Sequence, residues 1–374
     1  MTASAQHDSR RHIAALDGLR GIAILLVLLH GFDVLQDAQG VAHLIDAVLD
    51  IGWIGVQLFF VLSGFLITGI LLDTRTQPGY YRSFFVRRVL RIFPLYYGVL
   101  FVAFVMLPLW GLGGENGTHQ LWLWTYLANF AAPFGLDEPA FPHFWSLCVE
   151  EQFYLIWPLV VRLAGRRGVM VIAAALIVAA MASRVFLRAH FGEPVGHEAA
   201  YMFTPSRMDA LAIGAAIAAL LREPRCAAWM AARGSVAPAA AGFIVLAAGL
   251  AGGHLQRVGA AMQAYGYTVA ALGFGLLLIA ALGVDGVPAR WLGGAPLRRC
   301  GLYSYAMYVF YAPLHLFVGL PFLARLGAGI GLAGALAYEA VAILVTFALA
   351  ALSYHLYEQR FLRLKPRLAP LPNA

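Results

Sequence analysis

Charged side chains are scarce in this sequence of 374 residues. Asp, Glu, Lys and Arg make up 12% of the chain, whereas 61% of its residues are hydrophobic. An ordinary soluble domain carries ~25% charged residues. So little charge excludes a soluble globular protein and indicates a polytopic membrane protein, one that crosses the bilayer many times.

Cysteine is also rare. The three cysteines, Cys148, Cys226 and Cys300, lie far apart in the chain and show no metal-ligand spacing. This pattern excludes a disulfide framework and a cysteine-based zinc site, and we expect no metal site. The polar N-terminus runs into an apolar segment without a small-residue cleavage site, so we expect the first helix to be retained rather than removed as a signal peptide.

The net charge of +7 does not indicate nucleic-acid binding, because the arginines are spread between apolar stretches. Ten of these stretches are long enough to cross a bilayer as helices. They fall at about 13–35, 52–72, 84–109, 144–164, 168–188, 206–222, 236–253, 260–283, 299–321 and 330–357. The aromatic-rich segment Trp122–Phe130 is too short to cross and suits an interfacial or re-entrant helix. We therefore predict an all-α membrane protein with about ten transmembrane helices around a central cavity.

Arginines alternate with acidic residues from one predicted loop to the next. The loops that carry the arginines all fall on one side of the ten-span arrangement, and the opposite loops carry acids such as Asp37 and Glu115. Because basic loops stay in the cytoplasm, both termini are predicted to be cytoplasmic. We expect a single domain over 1–374 in the cell membrane, with short tails at about 1–12 and 359–374.

The first predicted span carries both an arginine and a histidine, Arg20 and His30. The helical rise between them covers ~15 Å, about half of the ~30 Å hydrocarbon core. We therefore expect His30 near the middle of the membrane. A histidine at that depth is either functional or a neutral ring bonded to a neighbouring helix, and both readings stay open here.

Three arginines, Arg87, Arg88 and Arg91, lie at the cytoplasmic end of the third predicted span. Arg88 and Arg91 share a helical face, and such a pair suits the binding of a phosphate group. The alternative is that the arginines only anchor the helix at the cytoplasmic surface, with the exception of Arg91, which lies nearest the apolar span.

Two adjacent acids, Glu150 and Glu151, lie in the first turns of the fourth predicted span, which opens at Trp145. Ser146, Glu150 and Tyr154 recur every four residues and so share one face, from which Glu151 points away. Two acids entering the membrane are costly, so at least one should face a cavity. We favour a functional role here over stabilisation by the helix dipole.

Further polar residues fall in two later spans. Arg207 and Asp209 begin the sixth span, where a buried ion pair and contact with a substrate are both open. In the ninth span, Ser304, Tyr308, Tyr311 and His315 share a face. Of these, the deeper tyrosines Tyr308 and Tyr311 are candidates for a site.

Five segments together resemble the acyltransferase 3 family of integral membrane acyltransferases. They are Leu16–Gly21 with His30, Phe59–Ile67, Arg88–Pro94, Trp145–Pro158 and Arg207–Leu211. Each segment is weakly informative alone, but all five occur in the expected order on the expected helices. The resemblance extends from about residue 12 to residue 365.

The sequence departs from the family pattern at two histidine positions. The family usually has ten residues between the basic residue of the first helix and its histidine, whereas nine lie between Arg20 and His30, so that Gly31 occupies the usual place. This shift rotates the side chain by ~100° around the helix. In the ninth span, Tyr311 stands where the family usually has its second histidine, although Pro313 is retained.

The resemblance implies transfer of an acyl group, commonly acetyl, from cytoplasmic acyl-CoA to a hydroxyl of a surface glycan or of a smaller lipid-linked or secondary-metabolite acceptor. We expect His30 to be the general base and Glu150 to orient the acceptor or to act as an acid/base partner. Arg20, Arg88 and Arg91 are expected at the CoA phosphates. The residues expected to contact the acceptor are Trp145, Tyr154, Arg207, Asp209, Tyr308 and Tyr311.

Acyl-CoA is expected as a substrate, and no cofactor is expected to be bound permanently. The expected partners are acyl-CoA, the acceptor and the bilayer, without nucleic acid. Some family members carry an extra extracytoplasmic esterase-like domain, which this sequence lacks. We therefore expect the transfer to be completed in the membrane domain or by a separate extracytoplasmic protein.

Two other classes of function remain. A transporter or flippase for a glycan or lipid would also need polar residues at mid-depth, although no inverted repeat or pair of broken helices is visible. An inactive relative that acts as a scaffold is the second alternative, because of the shifted histidine.

The topology can be tested by labelling single cysteines. In a variant without the three native cysteines, a cysteine placed at 37 or at 115 should react with a membrane-impermeant reagent added outside the cell, because both positions fall in acidic loops. Labelling only after permeabilisation would contradict the predicted orientation.

Overall fold

The computed structural model contains helices and connecting turns, without a β-strand, over the residues that it describes: 14–35, 40–111, 117–226, 236–252, 257–283, 287–326 and 331–369. The longer helices are α1 (Ala14–Gly31), α2 (Val41–Asp50), α3 (Ile54–Thr74), α4 (Tyr80–Phe101), α5 (Trp145–Phe191), α6 (Val195–Met202), α7 (Thr204–Leu220), α8 (Val236–Gly252), α9 (Tyr267–Ala281), α10 (Ala295–Leu314) and α11 (Gly331–Ser353). The all-α class predicted from the apolar stretches is confirmed.

Seven helical stretches of the described chain are long and apolar enough to cross a membrane. The helix α5 has 47 residues and contains a break at Gly165, whose φ of 63° lies in the left-handed region. Its length of ~70 Å suffices for two crossings. The helices α7 and α8 have 17 residues each, one residue fewer than the shortest of the seven stretches. The protein is thus multi-pass, and the number of ten spans stays a prediction.

The segments outside the spans differ from the expectation in detail. The helix α2 precedes the second predicted span, where no helix was predicted from the sequence. The aromatic-rich segment forms two short helices, Leu121–Trp124 and Ala128–Ala131. The expected N-terminal tail at 1–12 lies outside the described residues. The C-terminal tail contains short helices at Gln359–Leu362 and Lys365–Leu368.

Close helix packing fixes the rotation of α3 against α7. A Cβ atom on Gly64 of α3 would lie 1.9 Å from the carbonyl oxygen of Leu211, and one on Gly214 of α7 would lie 2.0 Å from the carbonyl oxygen of Val61. No larger side chain fits at either position unless the backbones separate. Small residues at such contacts are typical of helices in membranes, where close backbone approach replaces the hydrophobic driving force.

A cavity of about 450 Å³ lies inside the helix bundle, lined by residues of α1, α3, α4, α5 and α10. Its size falls in the range of sites for small molecules and cofactors. In the predicted topology, α1 and α4 enter from the cytoplasm and α3 and α5 from outside, so the cavity lies in the membrane with polar groups from both directions.

Candidate active site

Most of the charged candidates from the sequence line this one cavity. The acids and bases on its wall are Asp17, Arg20, Asp73, Arg88, Arg91, Glu150, Glu151 and Arg222. The hydroxyl groups used below are those of Ser63, Ser146, Tyr154 and Tyr308. Acidic and basic groups that were expected at opposite faces of the membrane therefore meet in one place.

Glu150 is held by two hydroxyl groups at the wall of the cavity. The Ser63 hydroxyl donates a hydrogen bond to Oε1 at 2.8 Å, and the Tyr154 hydroxyl lies 3.1 Å from Oε2. The Tyr154 hydroxyl also lies 3.1 Å from Ser63 Oγ, so the three groups form a closed triangle. The spacing of four residues on α5 brings Glu150 and Tyr154 together, as predicted, and α3 supplies the serine.

Two of the three clustered arginines face the cavity. The guanidinium carbon of Arg88 lies 5.2 Å from the centre of the Tyr154 ring, which places this cation next to the Glu150 triangle. Arg91 of α4 and Arg20 of α1 line the same cavity. Arg87 instead donates a hydrogen bond to the carbonyl oxygen of Ala369 at 3.0 Å. Arg88 and Arg91 of the cluster thus line the cavity, whereas Arg87 contacts the C-terminal segment.

Glu151, which was predicted on a different face of α5 from Glu150, belongs to the same cavity. Glu151 also lines the cavity, although its side chain leaves α5 ~100° from that of Glu150. The cavity extends around this side of α5, between it and α10, where it is lined by Tyr305. Both acids therefore reach the same enclosed space.

His30 lies away from the residues described as lining the cavity. It is in the last turn of α1, its side chain is 36% exposed, and its Nδ1 atom lies 3.3 Å from Oδ1 of Asp50. Arg20 lines the cavity inside the helix bundle, and His30 lies ten residues further along α1. The depth of His30 in the membrane stays a prediction.

An acidic environment surrounds His30. Burial, with a hydrogen bond to Asp46, raises the pKa of Asp33 to about 6. The neighbouring Asp50 is 56% exposed. A solvent-exposed carboxylate next to an imidazole suits recognition of a polar ligand at the protein surface more than chemistry in a closed cavity.

Arg207 and Asp209 are fully buried and belong to a separate polar cluster. Asp209 pairs with Arg184 of α5 at 2.9 Å, and the Thr268 hydroxyl donates to the same carboxylate oxygen at 2.6 Å. Arg207 bonds to Gln57. The expected pairing of Arg207 or Asp209 with Glu150, or of the two with each other, is not what the described contacts show. Arg184 was not predicted as a site residue, although an arginine inside the apolar stretch 168–188 could have indicated it.

Aromatic rings enclose Arg207. Its guanidinium carbon lies 4.6 Å from the centre of the Tyr267 ring, 5.1 Å from that of Tyr201 and 5.6 Å from that of Trp145. Cation–π contacts of this kind stabilise a desolvated arginine. Trp145 therefore packs in the interior, away from the cavity wall, with Arg207 rather than beside Glu150.

The two tyrosines of α10 have different surroundings. The Tyr308 hydroxyl lines the cavity and lies 2.6 Å from Ser146 Oγ. Tyr311 lies behind it, with its ring centre 4.6 Å from that of His143. A Cβ atom on Gly31 would lie 2.5 Å from the Tyr311 ring, so Tyr311 occupies the space beside Gly31.

His143 was not predicted as a site residue. The structure buries it, with 5% of its surface exposed. Neither of its ring nitrogens has a hydrogen-bond partner of acceptable geometry in the described part of the chain. The nearest polar groups are main-chain carbonyls of Tyr308 and Val309. The Val309 carbonyl lacks its helical donor because residue 313 is a proline.

The arrangement suits acid/base chemistry on a ligand that carries phosphates. Arginines from α1 and α4 line the wall, and a hydrogen-bonded carboxylate lies next to them. Arginine forks bind phosphate, and a positioned carboxylate can accept a proton from a hydroxyl or thiol. No group of three or more metal-ligating side chains with suitable geometry occurs within the described ranges.

The structural role of the buried pair is testable. Asp209→Ala should lower the free energy of unfolding by about 3–5 kcal/mol, because it leaves the Arg184 charge buried without its partner. Thermal unfolding in detergent measures this. The matched control is Asp73→Ala, which removes the half-exposed partner of Arg222 and should cost about 1 kcal/mol or less. Unchanged stability of Asp209→Ala with loss of acceptor binding would instead favour the expected substrate contact.

Comparison with known proteins is consistent with this geometry. The family model described as an acyltransferase domain, acyltransferase 3, matches residues 13–355. The provisionally named peptidoglycan O-acetyltransferase YrhL of Bacillus subtilis is 32% identical over 229 residues, 56% of this chain and 33% of YrhL. The peptidoglycan O-acetyltransferase OatA of Listeria monocytogenes is 32% identical over 163 residues, 40% of this chain and 24% of OatA.

The aligned part of this chain thus spans a third or less of the length of these two relatives. No solved structure matches the chain. The family match covers the helices that build the cavity, from α1 to α11, and includes Arg20, Arg88 and Glu150. The chain therefore belongs to the acyltransferase 3 family.

Proposed function

We propose that this protein is an O-acetyltransferase of the cell membrane that moves an acetyl group from acetyl-CoA to a hydroxyl of a cell-surface carbohydrate. The observation that carries the proposal is the single cavity that joins three arginines to the bonded carboxylate of Glu150. Membership of the family supports acyl transfer. The names of the relatives support acetyl as the group and peptidoglycan as an acceptor to test first.

The donor enters from the cytoplasm in this proposal. Arg20, Arg88 and Arg91 bind the phosphates of CoA, and the thioester arm extends along the cavity to Glu150. Guanidinium groups suit this role because they present paired donors to phosphate oxygens. The arginine-rich loops support a cytoplasmic position for both termini and for this side of the cavity.

Glu150 is the acid/base group closest to the reacting atoms. Its carboxylate accepts a hydrogen bond from Ser63, and Arg88 and Arg20 lie close enough to interact with its charge. A carboxylate in such a setting accepts a proton as a bond to the acyl carbon forms, and returns it to the leaving group. Tyr154 and Tyr308, which line the cavity, contact the acyl group or the acceptor.

His30 acts on the acceptor side in this proposal. Its Cβ atom approaches Gly52, which precedes α3, and Gly52 lies ~16 Å along that helix from the level of Ser63. At that distance the imidazole does not touch an acyl group bound at Glu150. It is placed to bind the incoming carbohydrate together with Asp50, or to hand it over from a separate extracytoplasmic protein.

The basic test is incubation of the purified protein with labelled acetyl-CoA and peptidoglycan fragments. Transfer or hydrolysis of the acetyl group supports the enzyme. Movement of a glycan or lipid across a vesicle membrane without any loss of acetyl-CoA would favour a transporter, and absence of both would favour an inactive relative.

The arginines provide a first quantitative prediction. Arg88→Ala and Arg91→Ala should each raise KM for acetyl-CoA more than they lower kcat, because a phosphate contact is remote from the reacting carbonyl. Arg91→Lys should recover little if the contact is bidentate. Steady-state kinetics with varied acetyl-CoA measure both.

The matched control is Arg87→Ala, from the same cluster, because Arg87 bonds to the C-terminal segment and not to the cavity. It should leave KM close to that of the wild type. Equal KM values in all three alanine variants would mean that the arginines only anchor the helix.

The second prediction separates Glu150 from His30. Glu150→Gln should reduce turnover by ~10²–10⁴, since it keeps the shape of the side chain and removes the base. His30→Ala should keep acetyl-CoA hydrolysis in the absence of acceptor and raise KM for the acceptor. Both are measured on folded protein, with binding of acetyl-CoA as the control.

The opposite pattern would restore His30 as the general base expected from the sequence. In that case His30→Ala would lose all transfer and hydrolysis while Glu150→Gln kept substantial activity. Glu151→Gln is the matched control for Glu150→Gln, because it removes the neighbouring charge and leaves the hydrogen bonds to Ser63 and Tyr154 intact.

A further inference from the structure

Ser63 is a hydroxyl group in the middle of a membrane helix, and it faces the cavity. It donates a hydrogen bond of 2.8 Å to Glu150 and lies 3.1 Å from the Tyr154 hydroxyl. A serine next to a carboxylate that can accept its proton, itself oriented by a third group, has the arrangement of an activated nucleophile. The activity described so far has no role for it.

The position of Ser63 is fixed by its neighbour. Gly64 touches the backbone of α7, with the Leu211 carbonyl oxygen 1.9 Å from where a Cβ atom would lie. This contact sets the rotation of α3, so Ser63 remains directed at the cavity and at Glu150. Nucleophilic catalysis needs such placement, because the reacting atoms must be held close together and aligned.

The depth of Ser63 also matters. It lies ~15 Å from either end of α3, between the side predicted to face the cytoplasm and the side predicted to face outward. A donor that enters from one side and an acceptor that enters from the other need a meeting point at this level. A group that holds the acyl unit there allows the two substrates to bind at different times.

We propose that Ser63 carries the acyl group as a covalent intermediate, an inference that rests on the acyl transfer proposed above. Ser63 Oγ attacks the thioester carbonyl carbon, and its proton passes to Glu150. The carbon–sulfur bond then breaks, and the proton moves from Glu150 to the departing sulfur. The products are an ester on Ser63 and free CoA thiol.

The second half of the reaction reverses these roles. The acceptor hydroxyl gives its proton to Glu150 and attacks the ester carbonyl, and the proton then passes to Ser63 Oγ as the ester bond breaks. No oxidant, reductant or metal is needed for either half. Arg88 beside the Tyr154 ring and the Tyr154 hydroxyl itself supply positive charge and a donor near the oxyanion that forms.

The deciding experiment is isotope exchange between acetyl-CoA and labelled free CoA in the absence of acceptor. Exchange requires that the acetyl group stay on the protein while CoA leaves. The wild-type protein in detergent should catalyse it. Ser63→Ala should lose it by ~10³-fold or more, while it still binds acetyl-CoA and unfolds at a similar temperature.

Two further variants make the readout specific. Ser63→Cys retains a nucleophile and should accumulate an acetyl thioester, detected by mass spectrometry of the peptide and released by neutral hydroxylamine. Ser304→Ala is the matched serine control: Ser304 lines the same cavity, but its hydroxyl donates to the Gly301 carbonyl within α10. It should leave the acetyl label on Ser63.

The outcomes separate the two proposals. A wild-type protein that transfers acetyl to acceptor but catalyses no exchange overturns the covalent intermediate and leaves the acyltransferase in place. Exchange or transfer by Ser63→Ala within a few fold of the wild type does the same. A wild-type protein that neither binds acetyl-CoA nor transfers acetyl contradicts the proposed function, and the intermediate falls with it.

Discussion

A carboxylate at the depth of Glu150 costs several kcal/mol unless its hydrogen bonds and its charge are compensated, and four helices of this protein contribute to that compensation. Ser63 comes from α3, Tyr154 comes from the next turn of α5, and positive charge comes from α1 and α4 through Arg20 and Arg88. Each helix must be rotated correctly for this to occur. The glycine contacts between α3 and α7 provide that rotation for Ser63, because no other rotation allows the backbones to approach so closely.

The long helix α5 serves two polar clusters with different properties. Before its break at Gly165 it carries Glu150, whose cluster is open to a cavity. After the break it carries Arg184, whose charge is matched by Asp209 in a fully buried cluster. In the buried cluster, Arg184, Asp209 and Thr268 bond to one another. These bonds fix α5, α7 and α9 against one another. The cluster at the cavity keeps Glu150 and Ser63 accessible to a ligand, which is what chemistry requires.

Sequence patterns predicted the helices and about half of the site. Length and apolarity located the spans, and the four-residue spacing placed Glu150 and Tyr154 on one face. The failures came from quantities that depend on neighbouring helices. That His30 lies outside the cavity lining could not be read from its distance to Arg20, because the neighbouring helices decide which residues of α1 line the cavity. The partner of Asp209 could not be read from spacing either, since Arg184 lies on another helix and no local pattern links the two.

The two departures from the family pattern are in contact in the structure. A Cβ atom on Gly31 would lie 2.5 Å from the ring of Tyr311, so a larger side chain at 31 and a tyrosine at 311 cannot occupy their present places together. The tyrosine therefore fills the volume that the glycine leaves, and His143 packs against its other side. Tyr308 closes this group towards the cavity through its contacts with His143 and Ser146. Neither position 31 nor position 311 holds a histidine, and the hydrogen-bonded pair of Ser63 and Glu150 lies on the cavity wall beyond Tyr308.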